Sequence, residues 1–113
     1  VYIDDVVDAT ARIMRQAPAG ETYHISTRDT ISIGDLVSRV CQILGVAWAD
    51  VVEQTEDRLG KDQAYLLDSS KIRKELGWAD MVGLDRGLNV TLDWIQKHLE
   101  VLRDQSTEYV HKE

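Results

Sequence analysis

At 113 residues, 43% of them hydrophobic, the chain has the length of one compact domain with a modest buried fraction. Its 20 Asp and Glu against 13 Lys and Arg exclude a broad nucleic-acid or anionic-membrane surface, while leaving room for one anion held locally. The single cysteine, Cys41, excludes an internal disulfide, and no apolar run approaches the roughly 20 residues that a membrane span needs.

Val1-Tyr2-Ile3 is a β-type tripeptide, followed by Asp4-Asp5 and a helical apolar pattern at Val6, Ala9, Ile13 and Met14 that ends near Pro18 and Gly20. Two carboxylates at a helix start read first as caps that complement the helix dipole; an acid/base pair is the other reading. Residues 21–26 alternate weakly, with Tyr23 and Ile25 on one face, and predict a short strand. His24 lies on it, as a substrate contact or as a partly buried strand histidine satisfied by a neighbour. No second His or Cys stands at ligand spacing, so a metal site has no support in the sequence.

Ser32 with Asp35 three residues on predicts a capped helix carrying Leu36, Val37, Val40, Cys41 and Leu44, stopped by Gly45. Cys41 in that pattern reads as a buried thiol, consistent with a reducing cytoplasm, and the N-terminus has no signal-peptide pattern. Val51–Thr55 predicts a strand that delivers the chain to a loop at Asp57-Arg58-Leu59-Gly60-Lys61. Tyr65-Leu66-Leu67 reads as a short strand entering the core. Asp68 then offers a carboxylate to a helix starting near Ser69, with Gly77 in the left-handed closing position. From Leu84 the longest helical pattern runs through Leu88, Leu92, Ile95, Leu99 and Leu102 as one apolar stripe. The polar tail, residues 105–113, is expected to be loosely held.

The loop carries the recognition chemistry. Arg presents a planar fork of donors that matches two phosphate oxygens, Lys adds a mobile point charge, and Gly60 lets backbone approach closely. Spacing alone also suits a solvated turn in which Arg58 and Lys61 pair with Asp57 and Asp62.

The run from Asp57 to Trp78, D-R-x-G-x-D-x-x-Y-x-x-D-x-x-K-I-x-x-E-L-G-W, resembles the C-terminal signature of the extended short-chain dehydrogenase/reductases, the NAD-dependent nucleotide-sugar epimerases and dehydratases, with members like dTDP-glucose 4,6-dehydratase nearest. The chain departs from that signature at Leu59, Lys61 and Ala64, where the family favours Pro, His and Arg. Y-I-D-D-V-V-D-A, T-Y-H-I, the S-I-x-D-L-V helix and G-L-x-x-T-x-x-W resemble further family segments, so the resemblance spans nearly the whole chain. It implies a small α/β substrate-binding domain over residues 1–104, with short strands and about four helices, lacking the Rossmann cofactor domain. It also implies a substrate-binding arginine just before Val1. The implied ligand is a nucleotide diphosphate sugar, with Arg58 on the diphosphate and Lys61 and His24 as lesser contacts.

The sequence contains no G-x-x-G-x-x-G turn to cradle a dinucleotide pyrophosphate, so no cofactor-binding residue is assigned and NAD is implied only for a full-length parent. Tyr2, Tyr23, Tyr65 and Tyr109 are followed four positions later by Val6, Thr27, Ser69 and Glu113, so none has the family's catalytic lysine. The expectation is therefore a nucleotide-sugar-binding fragment, inactive alone, of a dehydratase (lyase) or epimerase (isomerase). A noncatalytic protein-interaction or assembly module is the alternative. Exposure of the face that would meet the cofactor domain predicts self-association.

Overall fold

A computed structural model describes the chain outside residues 56–59, 61 and 106–113. Among the described residues there are six helices: α1 (Ile3–Gln16), α2 (Ile33–Leu44), α3 (Trp48–Val51), α4 (Ser70–Leu76), α5 (Leu84–Lys97) and α6 (Leu99–Arg103).

The ends of these helices follow local chemistry. α1 carries Asp4 and Asp5 in its first turn and Arg15 in its last, complementing the dipole, and it stops at extended Ala17, ahead of Pro18. At α2 the Ser32 hydroxyl accepts from the Asp35 amide at 3.0 Å and donates to the Asp35 carboxylate at 2.7 Å. This is the capping pair expected from the sequence, and Gly45 closes the helix at φ 68°. The Ser70 amide donates to Asp68 Oδ1 at 2.8 Å at the start of α4, and Gly77 ends that helix at φ 61°.

The expected long C-terminal helix is broken at His98, whose backbone (φ -113°, ψ 14°) leaves the helical region. Its amide is shared between the Trp94 and Ile95 carbonyls at 3.1 Å, its ring stacks on Trp94, and Nδ1 lies 2.7 Å from the Trp94 carbonyl. An apolar stripe therefore continues across a bend rather than along one rod.

The short strands are not seen among the described residues. Val51 belongs to the single turn α3, where the Val52 amide returns to the Trp48 carbonyl at 3.0 Å. Tyr65, Leu66 and Leu67 are exposed rather than entering the core. β-propensity yields a strand only when a second strand completes the hydrogen-bond ladder. Among the described residues the Ser26 hydroxyl donates to the Leu67 carbonyl at 2.8 Å, which ties the two segments together without a ladder.

The core sits where α1 crosses α4. Ile72 and Leu76, four residues apart on one face of α4, pack with Ala9 of α1 and the Trp78 ring, and Ile13, Ala17, Tyr23 and Ile25 close its edge. Cys41 is buried on α2, outside this cluster. The core is small for the chain: the Cα radius of gyration is 17.8 Å, against about 13 Å for a compact domain of this length.

Candidate functional site

The site is built on α4 and the two segments fastened to it. Arg73 is its hub, with a side chain only 13% exposed. Its Nε donates to Ser69 Oγ at 3.0 Å, one Nη donates to the Ser26 carbonyl at 3.0 Å and to Asp80, and the guanidinium lies 4.8 Å from the centre of the Trp78 ring. Ion pairing with Arg73 holds the Asp80 carboxyl below its ordinary range.

On the other side of α4, Lys71 pairs with Glu21, donates to the Thr22 carbonyl at 3.2 Å and sits over the Tyr23 ring. The Tyr23 hydroxyl donates to Glu75 at 2.9 Å. Desolvation, reinforced by the Glu75 hydrogen bond, raises the Tyr23 pKa, while Glu21 raises that of Lys71. Residues 21–27 are therefore strapped to α4 along their length. His24, in the middle of that strap, is exposed, so the reading as a partly buried strand histidine does not hold. Hydrogen bonds from Ser70 hold the Asp68 carboxyl below its ordinary range, with a smaller electrostatic contribution from His24. Arg58 and Lys61 lie outside the described residues. Gly60 between them is described, at φ 78°, a left-handed backbone that suits glycine.

Two structural residues of the site were missed from the sequence. Asp5 is only 4% exposed, and its two carboxylate oxygens accept from the Met81 and Val82 amides at 2.9 and 3.0 Å, while its carbonyl accepts from Trp78 Nε1 at 3.0 Å. It fastens the 78–82 turn to α1 instead of capping its own helix. The available signal was its register: Asp5 is four residues before Ala9, on the face of α1 that meets the core. Arg73 had no comparable signal, since its partners are a serine hydroxyl at the start of its own helix, a backbone carbonyl 47 residues away and an aspartate beyond Trp78.

A cleft of about 470 Å³ opens beside the site, lined by Tyr2, Thr27, Thr30, Ile31, Gly83 and Leu88 among others. Gly87 makes room for Tyr2 there, since a Cβ at residue 87 would lie 3.1 Å from the Tyr2 ring. Among the described residues no group of three or more His, Cys, Asp or Glu side chains is arranged to hold a metal ion. A dinucleotide pyrophosphate does not fit the described helix N-termini either. The first turns of α1, α2, α3, α5 and α6 carry Asp4 and Asp5, Asp35, Asp50, Asp85 and Glu100, and α4 is already capped by Asp68.

Comparison with known proteins places this geometry. The family model described as GDP-mannose 4,6-dehydratase matches residues 1–91. A dTDP-glucose 4,6-dehydratase from Streptomyces griseus is 37% identical over 98 residues, covering 87% of this chain and 30% of the relative. A probable dTDP-glucose 4,6-dehydratase from Sinorhizobium fredii is 31% identical, covering 83% and 29%. Among solved structures, the Bordetella bronchiseptica enzyme WbmF, crystallised with NADH and with NAD+ and UDP, superposes with a TM-score of 0.72 at 25% identity, covering 89% of this chain and 30% of that one. The chain spans about 30% of the length of these relatives. A family match of this extent does not favour an unrelated interaction module. The chain belongs to the GDP-mannose 4,6-dehydratase family of extended short-chain dehydrogenase/reductases.

Proposed function

We propose that this chain is the nucleotide-sugar-binding part, residues 1–104 with a polar tail over 105–113, of an NAD-dependent sugar-nucleotide 4,6-dehydratase or epimerase. The observation that carries this reading is the Asp57–Trp78 signature: it ends in a capped α4 whose side chains strap down the segment bearing His24. The chain lacks the tyrosine and lysine spacing of the family's catalytic pair and does not by itself perform the reaction.

Its own task is to hold the nucleotide diphosphate. Arg58 is the diphosphate clamp, its fork spanning two phosphate oxygens; Lys61 adds charge and His24 a neutral or charged hydrogen-bonding edge. NAD supplies hydride acceptance in the parent enzyme and is held by residues outside this chain. The short strands expected at residues 21–26, 51–55 and 65–67 form when partner segments of the parent complete their ladders. Among the described residues no helix is long and apolar enough to cross a membrane, and the lone buried thiol of Cys41 suits the reducing cytoplasm.

Calorimetric titration of the chain with UDP and with thymidine diphosphate tests the reading. Binding that weakens about tenfold or more in Arg58→Ala is expected, from loss of one charge-assisted bidentate contact. Absence of binding by the unaltered chain, or binding indifferent to Arg58→Ala, overturns the clamp.

A further inference from the structure

We infer that Arg73 is a positioning residue for the ligand: it sets the His24 segment against α4 and thereby tunes nucleotide-diphosphate affinity without touching the ligand. The inference rests on the proposed nucleotide-binding role and adds a residue to it.

Arg73 reaches three separate stretches of chain: the Ser69 hydroxyl at the start of its own helix, the Ser26 carbonyl on the His24 segment, and Asp80 beyond Trp78. A planar guanidinium makes these bonds in fixed directions at once; an ammonium has the charge but not the fork. The guanidinium carbon lies over the Trp78 ring, 4.8 Å from its centre, a cation–π contact that adds to these bonds. Ser26 passes the constraint on, because its hydroxyl donates to the Leu67 carbonyl at 2.8 Å, one residue before Asp68. Thus Arg73 is the tie that fixes the far end of the segment bearing His24, beside the stretch through which the loop returns to α4, while Lys71 and Tyr23 hold the near end. The Ser26–Leu67 hydrogen bond brings the two segments together at the exposed end of this bracing, two residues from His24 and one from Asp68.

A residue with only a structural role would act on stability, whereas positioning of a ligand contact makes its effect depend on that contact. Preorganisation of a binding segment raises affinity by lowering the ordering cost on binding. The test is a double-mutant cycle on UDP affinity with Arg73→Met, which keeps the stem over Trp78, and His24→Ala, each checked for helical circular dichroism. Arg73→Met is expected to weaken UDP binding about tenfold with helicity retained, and His24→Ala to cost clearly less in the Arg73→Met background than in the original chain. Arg73→Lys should give an intermediate loss, and it carries the test should the Met variant unfold.

Unchanged UDP affinity in folded Arg73 variants overturns the inference. So do strictly additive effects with His24→Ala, or a His24→Ala variant that binds as the original chain does. Failure of the unaltered chain to bind UDP is a different result: it removes the nucleotide-binding reading itself, and the positioning role falls with it.

Discussion

Asp4 and Asp5 are adjacent carboxylates with opposite fates, which shows how little a residue type says without its register. Asp4 is exposed in the first turn of α1, where its charge complements the dipole in solvent. Asp5 faces inward and satisfies the Met81 and Val82 amides ahead of α5. Removing an acceptor from two part-buried amides strands both donors, and hydrogen bonds to a charged group contribute roughly 1.5–3 kcal/mol each. Asp5→Ala should therefore lower the unfolding free energy by about 3–6 kcal/mol, and Asp4→Ala by no more than about 0.5 kcal/mol. Urea unfolding of the two variants side by side checks this, and equal losses would mean that the Asp5 carboxylate does not clamp the turn. Trp78 shares the arrangement, because its indole donates to the carbonyl of the same residue.

At the scale of the element, α4 is held to its surroundings by charged groups on both sides, and this predicts a stability plateau with two titrating edges. Asp68 and Asp80 have lowered pKa values in the fold, from the Ser70 hydrogen bonds and from Arg73 respectively. A depressed acid stabilises the fold above its unfolded value near 4, and the contribution disappears as pH falls through the folded value. Lys71 and Tyr23 have raised values, so their contribution is complete below about pH 10 and is lost as pH rises through the folded values. Urea midpoints should be flat from about pH 5 to 9 and fall on either side. Asp80→Asn should soften the acid edge and Tyr23→Phe the alkaline one; edges unchanged by both substitutions would contradict the assignment. The same helix shows what a sequence can disclose. Its caps, Asp68 and Gly77, are local signals, as are Ser32, Asp35 and Gly45 of α2, and all of these are legible. The attachments made by Arg73, Lys71 and Tyr23 join residues about 50 positions apart, where no periodicity reaches. His98 illustrates the opposite failure: apolar spacing runs on through it, yet shared hydrogen bonding and the Trp94 stack bend the backbone there. The strand signals at Val51–Thr55 and in the apolar run Tyr65–Leu67 report a preference for a sheet and not the presence of a partner.

For the molecule as a whole, the balance between buried and exposed apolar surface makes association the expected outcome. Ala9, Ile72, Leu76 and Trp78 form the buried cluster, whereas Ile3, Val7 and Met14 recur on one exposed face of α1, with Met14 82% exposed. Those three positions fall within about 40° of one another around a helix of 3.6 residues per turn, opposite the face that meets α4. A helix apolar on two faces belongs between two layers, and only one layer is present among the described residues. Tyr65, Leu66 and Leu67 add a second exposed apolar run, on a segment whose strand tendency is unsatisfied. Exposed patches of this kind are covered by association, and unpaired strand segments offer their backbone to the same end. Sedimentation velocity across a hundredfold dilution series should therefore show a weight-average mass that rises with concentration. Val7→Lys with Met14→Lys should shift the distribution to monomer without loss of helicity, since neither side chain is in the core. A single monomeric boundary at every concentration would overturn the association. A series that remains associated in the double variant would instead move the contact to the Tyr65–Leu67 run, where Leu66→Lys is the corresponding probe.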